Sequence, residues 1–172
     1  MFREHAVELI LIAALCASIS CGRHAEPEIH LIPTGFMGDV FIVHGVTDGQ
    51  PAHYEGRYRV YSIPASGVLR SETASNCCWW RGDEVQYYYV ADDGSRSRIE
   101  GFWPSSIHDT PENRADSTLG IWFPRTGTVS LSGSSCKVHL DQYYVGTKTF
   151  LLDRQASPEI TEYLKENPVA CQ

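Results

Sequence analysis

Short stretches in which polar and apolar residues alternate, each closed by proline, glycine or aspartate, fill most of this chain and predict strands rather than long helices. Glu28–Ile32 alternates and stops at Pro33, Gly35 turns the chain, and Val40–Val43 reads as the hairpin partner. Asp48 and Gly49 mark another turn. Arg57–Ile63 runs to Pro64, and Ser66 with Gly67 leads into Val68–Glu72. Val85–Val90 meets Asp93–Gly94, a strong hairpin signal, and the chain returns over Arg96–Glu100. After a polar loop over Ser105–Ser117, four more stretches follow: Leu119–Phe123, Thr128–Leu131, Val138–Val145 and Thr149–Leu152, with Gly127, Gly133 and Gly146 between them. Eight to ten short strands at this spacing predict an all-β fold, an antiparallel β-sandwich or a small barrel.

One helix breaks the pattern, over residues 157–167 near the C-terminus. Ser157 suits the N-cap, Pro158 the first helical position, and Glu159 the positive end of the helix dipole. Ile160, Tyr163 and Leu164 then share one face, and Asn167 with Pro168 ends the segment. That apolar stripe is expected to pack on a sheet edge or on the open end of the sandwich.

The N-terminal end follows different rules. Leu9–Ala17 is an uncharged apolar run, less than half of the roughly 20 residues needed to cross a bilayer, and small residues follow it. With Cys21 just beyond, residues 1–20 read as an export signal cleaved after Ser20. Small side chains stand at Ser18 and Ser20, as ordinary cleavage requires; lipoprotein processing at the same bond would place diacylglycerol on the Cys21 sulfur. Lipoprotein signals usually carry leucine where Ser18 stands, and Glu4 with Glu8 offsets the positive charge of Arg3. Residues 21–27 form a lipidated tether ahead of one domain spanning 28–172.

The cysteines agree with that reading. Cys16 leaves with the signal, so an exported chain keeps Cys21, Cys77, Cys78, Cys136 and Cys171, an odd number. Acylation of Cys21 leaves four, which an oxidising compartment would pair into two disulfides. Four cysteines allow three connectivities. Because neighbours on an extended strand point to opposite faces, Cys77 and Cys78 are expected to reach separate partners, one bond each to Cys136 and Cys171. A bridge from this pair to Cys136 closes a loop of about 60 residues, worth on the order of 4 kcal/mol. Adjacent cysteines lack the gap that zinc ligands favour.

The whole chain has 172 residues and a net charge of −7; without residues 1–20 it keeps 13 basic and 19 acidic side chains, a net charge of −6. That acidity disfavours nucleic acid and anionic membrane faces as partners. About 150 residues make one domain of common size, able to bury roughly two thirds of its unfolded surface.

Catalytic signals are sparse. His139 and Asp141 alternate on one strand, so their side chains share a face and could ligate a metal or act as a base with its orienting partner, but no third group accompanies them. His30, His44, His53 and His108 are scattered, and alternating polar positions on strands usually face water. Ser132–Cys136 (SGSSC) lacks the spacing of a nucleophile elbow and reads as a turn. Asp92, Asp93 and Gly94 lack the further acidic ligands of a calcium loop. No cofactor is expected. Aromatic residues are the stronger lead: Trp79, Trp80, Trp103 and Trp122, with Tyr87–Tyr89, Tyr143 and Tyr144, can build a core or offer flat faces to sugars and proteins. Trp79 and Trp80 are the candidate binding pair.

The segments EIHLIPTGFMGDVFIVHG, YRVYSIPASGVL, YYYVADDGSR and QYYVGTKTF together resemble a family of small bacterial envelope lipoproteins that carry one β-rich domain of unknown function. The resemblance runs from about Glu28 to about Phe150, and its most specific pieces are IPTGFMGDV and IPASGVL. It implies export, a lipid anchor and a transthyretin-like sandwich; an immunoglobulin-like one fits the strand pattern as well. It implies no catalytic residues. The function expected is therefore a non-catalytic envelope module, held at the membrane through Cys21, that binds a protein or glycan or serves as an accessory subunit of an envelope assembly. An inhibitor or immunity-type protein of the envelope is the alternative, and a hydrolase using His139 and Asp141 is the weaker one.

Overall fold

A computed structural model of the chain describes residues 25–76, 84–104, 106–130, 137–153 and 160–169. Residues 1–20, Cys21, Cys77, Cys78, Trp79, Trp80, Cys136, Cys171, the Ser132–Cys136 turn and the expected helix start at Ser157 to Glu159 lie outside them.

Among the described residues, ten strands form two five-stranded sheets: β1 (Glu28–Pro33), β2 (Gly38–His44), β3 (His53–Glu55), β4 (Tyr58–Ser62), β5 (Val68–Ser71), β6 (Val85–Val90), β7 (Arg96–Ile99), β8 (Gly101–Phe102), β9 (Gly120–Ser130) and β10 (Lys137–Gly146). Their orders are β3-β4-β1-β6-β7 and β5-β2-β10-β9-β8. The all-β sandwich expected from the alternation is present, as is the short helix near the C-terminus. The pairing, however, is mixed rather than purely antiparallel: β1 runs parallel to both β4 and β6, β2 to β5, and β8 to β9.

The mixed pairing follows from how the chain changes layers. At Pro33–Phe36 a turn closes through the Phe36 amide and the Pro33 carbonyl, 3.0 Å apart, with Gly35 at φ 81°. Positive φ is costly for any residue with a Cβ, so glycine suits this position. The turn delivers β2 into the opposite sheet, and the expected β1–β2 hairpin does not form. Because the chain crosses over and returns, β4 and β6 arrive beside β1 in its own direction. The Asp93–Gly94 turn does close an ordinary hairpin, β6 against β7.

Two further expectations are corrected. In place of separate strands over Leu119–Phe123 and Thr128–Leu131, one long strand, β9, runs over Gly120–Ser130, in which Gly127 pairs with Leu140 instead of turning the chain; Leu131 lies outside the described residues. Thr149–Leu152 is helical: α2 (Lys148–Asp153) follows α1 (Pro111–Ala115) and precedes α3 (Ile160–Glu166). Thr147 starts α2, its hydroxyl accepting from the Phe150 amide at 3.2 Å and its carbonyl from Leu151 at 3.0 Å. So short an apolar run is ambiguous between strand and helix, and the cap decides it.

Between the sheets lies the main core, with Ile32, Val40, Ile42, Leu69, Tyr87, Ile121, Tyr143 and Val145 all buried. The second sheet is covered on its outer face as well. Helix α3 lays Ile160, Tyr163 and Leu164 over Val43, Val138 and Leu140. The stripe read from the sequence thus packs on a sheet face, not on an edge or an open end. Farther along the same sheet, Leu151 of α2 and Phe102 of β8 pack with Trp122 and Tyr144. Leu164 is 2 % exposed, and truncating a buried leucine loses both transfer energy and packing. Leu164→Ala is expected to lower stability by roughly 2–4 kcal/mol, measured by urea unfolding.

Candidate functional site

The alternation of β1 places Glu28, His30 and Ile32 on one face, and that face points into the sandwich, not to water. Glu28, His30, His44 and Asp141 are all buried. Such groups must satisfy one another. His30 Nε2 lies 3.1 Å from the Glu28 carboxylate, and His30 Nδ1 lies 3.1 Å from the Tyr143 hydroxyl of the opposite sheet. Burial pushes the Tyr143 hydroxyl well above the tyrosine range, helped by Tyr87, Glu28 and Asp141 nearby, so it remains a neutral O–H donor. It faces His30 Nδ1 across the two sheets, while His30 Nε2 faces Glu28 within β1. Asn76 donates to the other Glu28 oxygen at 2.8 Å.

A second pair stands beside this chain: His44 Nε2 is 2.7 Å from Asp141 Oδ2. Burial acts to raise the Asp141 carboxyl, but the hydrogen bond and charge of His44, with Thr126 and His30, outweigh it and hold the group below its ordinary range. The Tyr61 ring packs against both histidines, and the Tyr87 ring against His30.

Asp141 therefore spends its carboxylate on His44 and not on His139. His139 is exposed, with Nδ1 3.3 Å from the Thr128 hydroxyl. Although the two residues share a face of β10, the base and orienting partner suggested by their spacing are not joined. The partner of Asp141 comes from the adjacent strand, where His44 pairs with His139 in register. Among the described residues no three histidine, cysteine, aspartate or glutamate side chains are placed to hold a metal ion, and no helix is long and apolar enough to cross a membrane.

An accessible site lies on the outer face of the second sheet. Opposite Tyr143, β9 carries two residues, Phe123 and Pro124, so that the register slips between Gln142 and Tyr144. Phe123 adopts φ 52°, a left-handed conformation unusual for an aromatic residue. This bulge borders a cleft of about 440 Å³ whose wall also includes Trp103, Arg125 and Gln142. An adjoining cleft of about 340 Å³ is bordered by Ile107, Asn113, Asp116 and Lys148. Trp103, Pro104 and Trp122 line both. Trp122 is 2 % exposed, stacked on Phe102 at 4.5 Å, and its Nε1 donates to the Gly146 carbonyl at 2.7 Å. Trp103, by contrast, is 52 % exposed. Among the aromatics noted in the sequence, Trp103 and Trp122 are thus brought together, one as a free face and the other as the floor beneath it.

The site and fold define a two-sheet β-sandwich with an open aromatic cleft. The chain belongs to a family of unknown function, DUF6843, whose model matches residues 24–148. No curated protein matches the chain. Among solved structures it is similar to a crystal structure of a candidate lipoprotein from Bacillus anthracis, with 20 % identity and a TM-score of 0.54 over 83 % of this chain and 87 % of that one. At this identity the likeness shows the fold.

Because the Asp141 carboxyl is held low in the folded state, its contribution to stability is complete above the unfolded value near 3.9 and is lost as pH falls below it toward the folded value. Asp141→Asn is expected to cost roughly 1–3 kcal/mol near neutral pH and to flatten the stability curve below about pH 4, read from urea midpoints across pH.

Proposed function

We propose that this protein is a non-catalytic lipoprotein of the bacterial cell envelope, cleaved before Cys21, acylated on that sulfur, and acting as a binding module through the Trp103 cleft. Four observations support it: the short apolar run ahead of Cys21, the membership in a family of unknown function, the shared fold with a candidate lipoprotein, and a first strand that starts at Glu28, seven residues after Cys21. The exposed indole of Trp103 between two clefts carries the binding part of the reading. Separation of His139 from Asp141 weighs against hydrolysis by that pair. Cys77, Cys78, Cys136 and Cys171 are proposed to form two disulfides in the oxidising envelope.

The tether joins β1 at Glu28, the end of the sandwich that carries His44 and Asp141. Trp122 pairs with Tyr144 toward the opposite end, near Gly38 and Gly146. An anchored domain would therefore present its cleft away from the tethered end. Replacing Cys21 by alanine is expected to abolish incorporation of labelled palmitate and to shift the protein from the membrane pellet to the soluble fraction. Retention of label and pellet would overturn the anchor.

A further inference from the structure

We infer that the two clefts beside Trp103 form one continuous site for a neutral oligosaccharide, a chain of pyranose rings that crosses the exposed indole. The inference rests on the reading of this domain as a binding module and names the ligand class.

Three features of the cleft lead to it. First, the indole is both exposed and held in place. A Cβ on Gly101 would come 3.0 Å from the tip of the Trp103 ring, so the ring lies directly against the glycine backbone. A flat apolar face fixed at low entropic cost suits the axial C–H face of a pyranose. Second, the polar rim is balanced. One cleft carries Asp39 and Arg125, the other Asp116 and Lys148, one carboxylate and one cation each. Asp116 and Lys148 are 2.6 Å apart, and Arg125 donates to Gln142 at 2.6 Å. Groups arranged in this way offer donors and acceptors side by side with no net charge, which matches vicinal hydroxyls better than an ionic ligand. Third, the clefts meet at Trp103 and Pro104, and each is within the range of roughly 300–1,000 Å³ that small-molecule sites occupy. A single sugar would fill one side and leave the other wet; a chain engages both.

An aromatic groove can also take a proline-rich peptide, but such a peptide brings few hydroxyls for the rim. The test uses calorimetry and two-dimensional NMR of the intact protein in detergent micelles with cellotetraose, chitotetraose, the corresponding disaccharides, and a decaproline peptide. A tetrasaccharide is expected to bind at least about ten-fold tighter than its disaccharide and to move the Trp103 indole resonance. Trp103→Ala, at an exposed position, is expected to weaken binding by about ten-fold or more with unfolding unchanged. Gly101→Ala, which displaces the ring and leaves the rim intact, is expected to weaken it in the same direction. Absence of saccharide binding to a folded domain, or equal binding by Trp103→Ala, overturns the inference. Trp103-dependent binding of the peptide alone overturns it too, while leaving the binding-module reading in place. Loss of the palmitate label in the intact protein bears only on the anchor.

Discussion

The His30–Tyr143 hydrogen bond is the contact on which the interior depends. Glu28 and His30 come from the first sheet, and Tyr143 with the His44–Asp141 pair comes from the second. Removing four ionisable groups from water is tolerable only if each finds its partner at good geometry. One register of the two layers provides this. Sliding one sheet along the other would part His30 Nδ1 from the Tyr143 hydroxyl in a low-dielectric core, whereas an all-apolar interior would tolerate the shift far better. The polar cluster thus confers specificity on a sandwich whose remaining inner residues, Ile32, Val40, Ile42 and Val145, are interchangeable aliphatic surface.

Outside this core, the second sheet is covered in pieces. Helix α3 seals the part around Val43 and Val138, and α2 with β8 seals the part around Trp122 and Tyr144. The bulge at Phe123 and Pro124 lies where cover runs out. Proline has no amide to donate to a ladder, and the extra residue bends β9 away from its partner. The left-handed Phe123 stores backbone strain that the surrounding packing has to maintain. Gly120 contributes to the same region: a Cβ there would lie 2.5 Å from the Phe102 ring, so only glycine lets that ring stack on Trp122. The cleft is therefore a product of the scaffold, with a rigid floor and one exposed aromatic above it.

The proposed binding role and the proposed envelope location fit each other physically. A sandwich anchored in that way and with a net acidic surface would need no large interface with the membrane, and one open face would suffice for recognition. Of the buried histidines and carboxylates, His30 joins the two layers through Tyr143, whereas the His44–Asp141 bond ties neighbouring strands of the second sheet.

Alternation and turn chemistry determined much in the sequence alone: the β-rich class, the Val85–Val90 hairpin, the extent of β10 and the short terminal helix are local properties, legible from period and punctuation. Aromatic abundance likewise pointed toward Trp103 and Trp122 without ranking them. Local pattern could not decide which face of β1 turns inward, because Glu28–His30–Ile32 and Ile29–Leu31 alternate equally well and a strand between two neighbours can bury both. Nor could it join Asp141 to His44, 97 residues away, in place of the nearby His139. Those choices, with the parallel pairings and the cleft at the β9 bulge, belong to the tertiary structure. They depend on which sheet the chain enters after each turn, and long-range packing, not the local period, sets that.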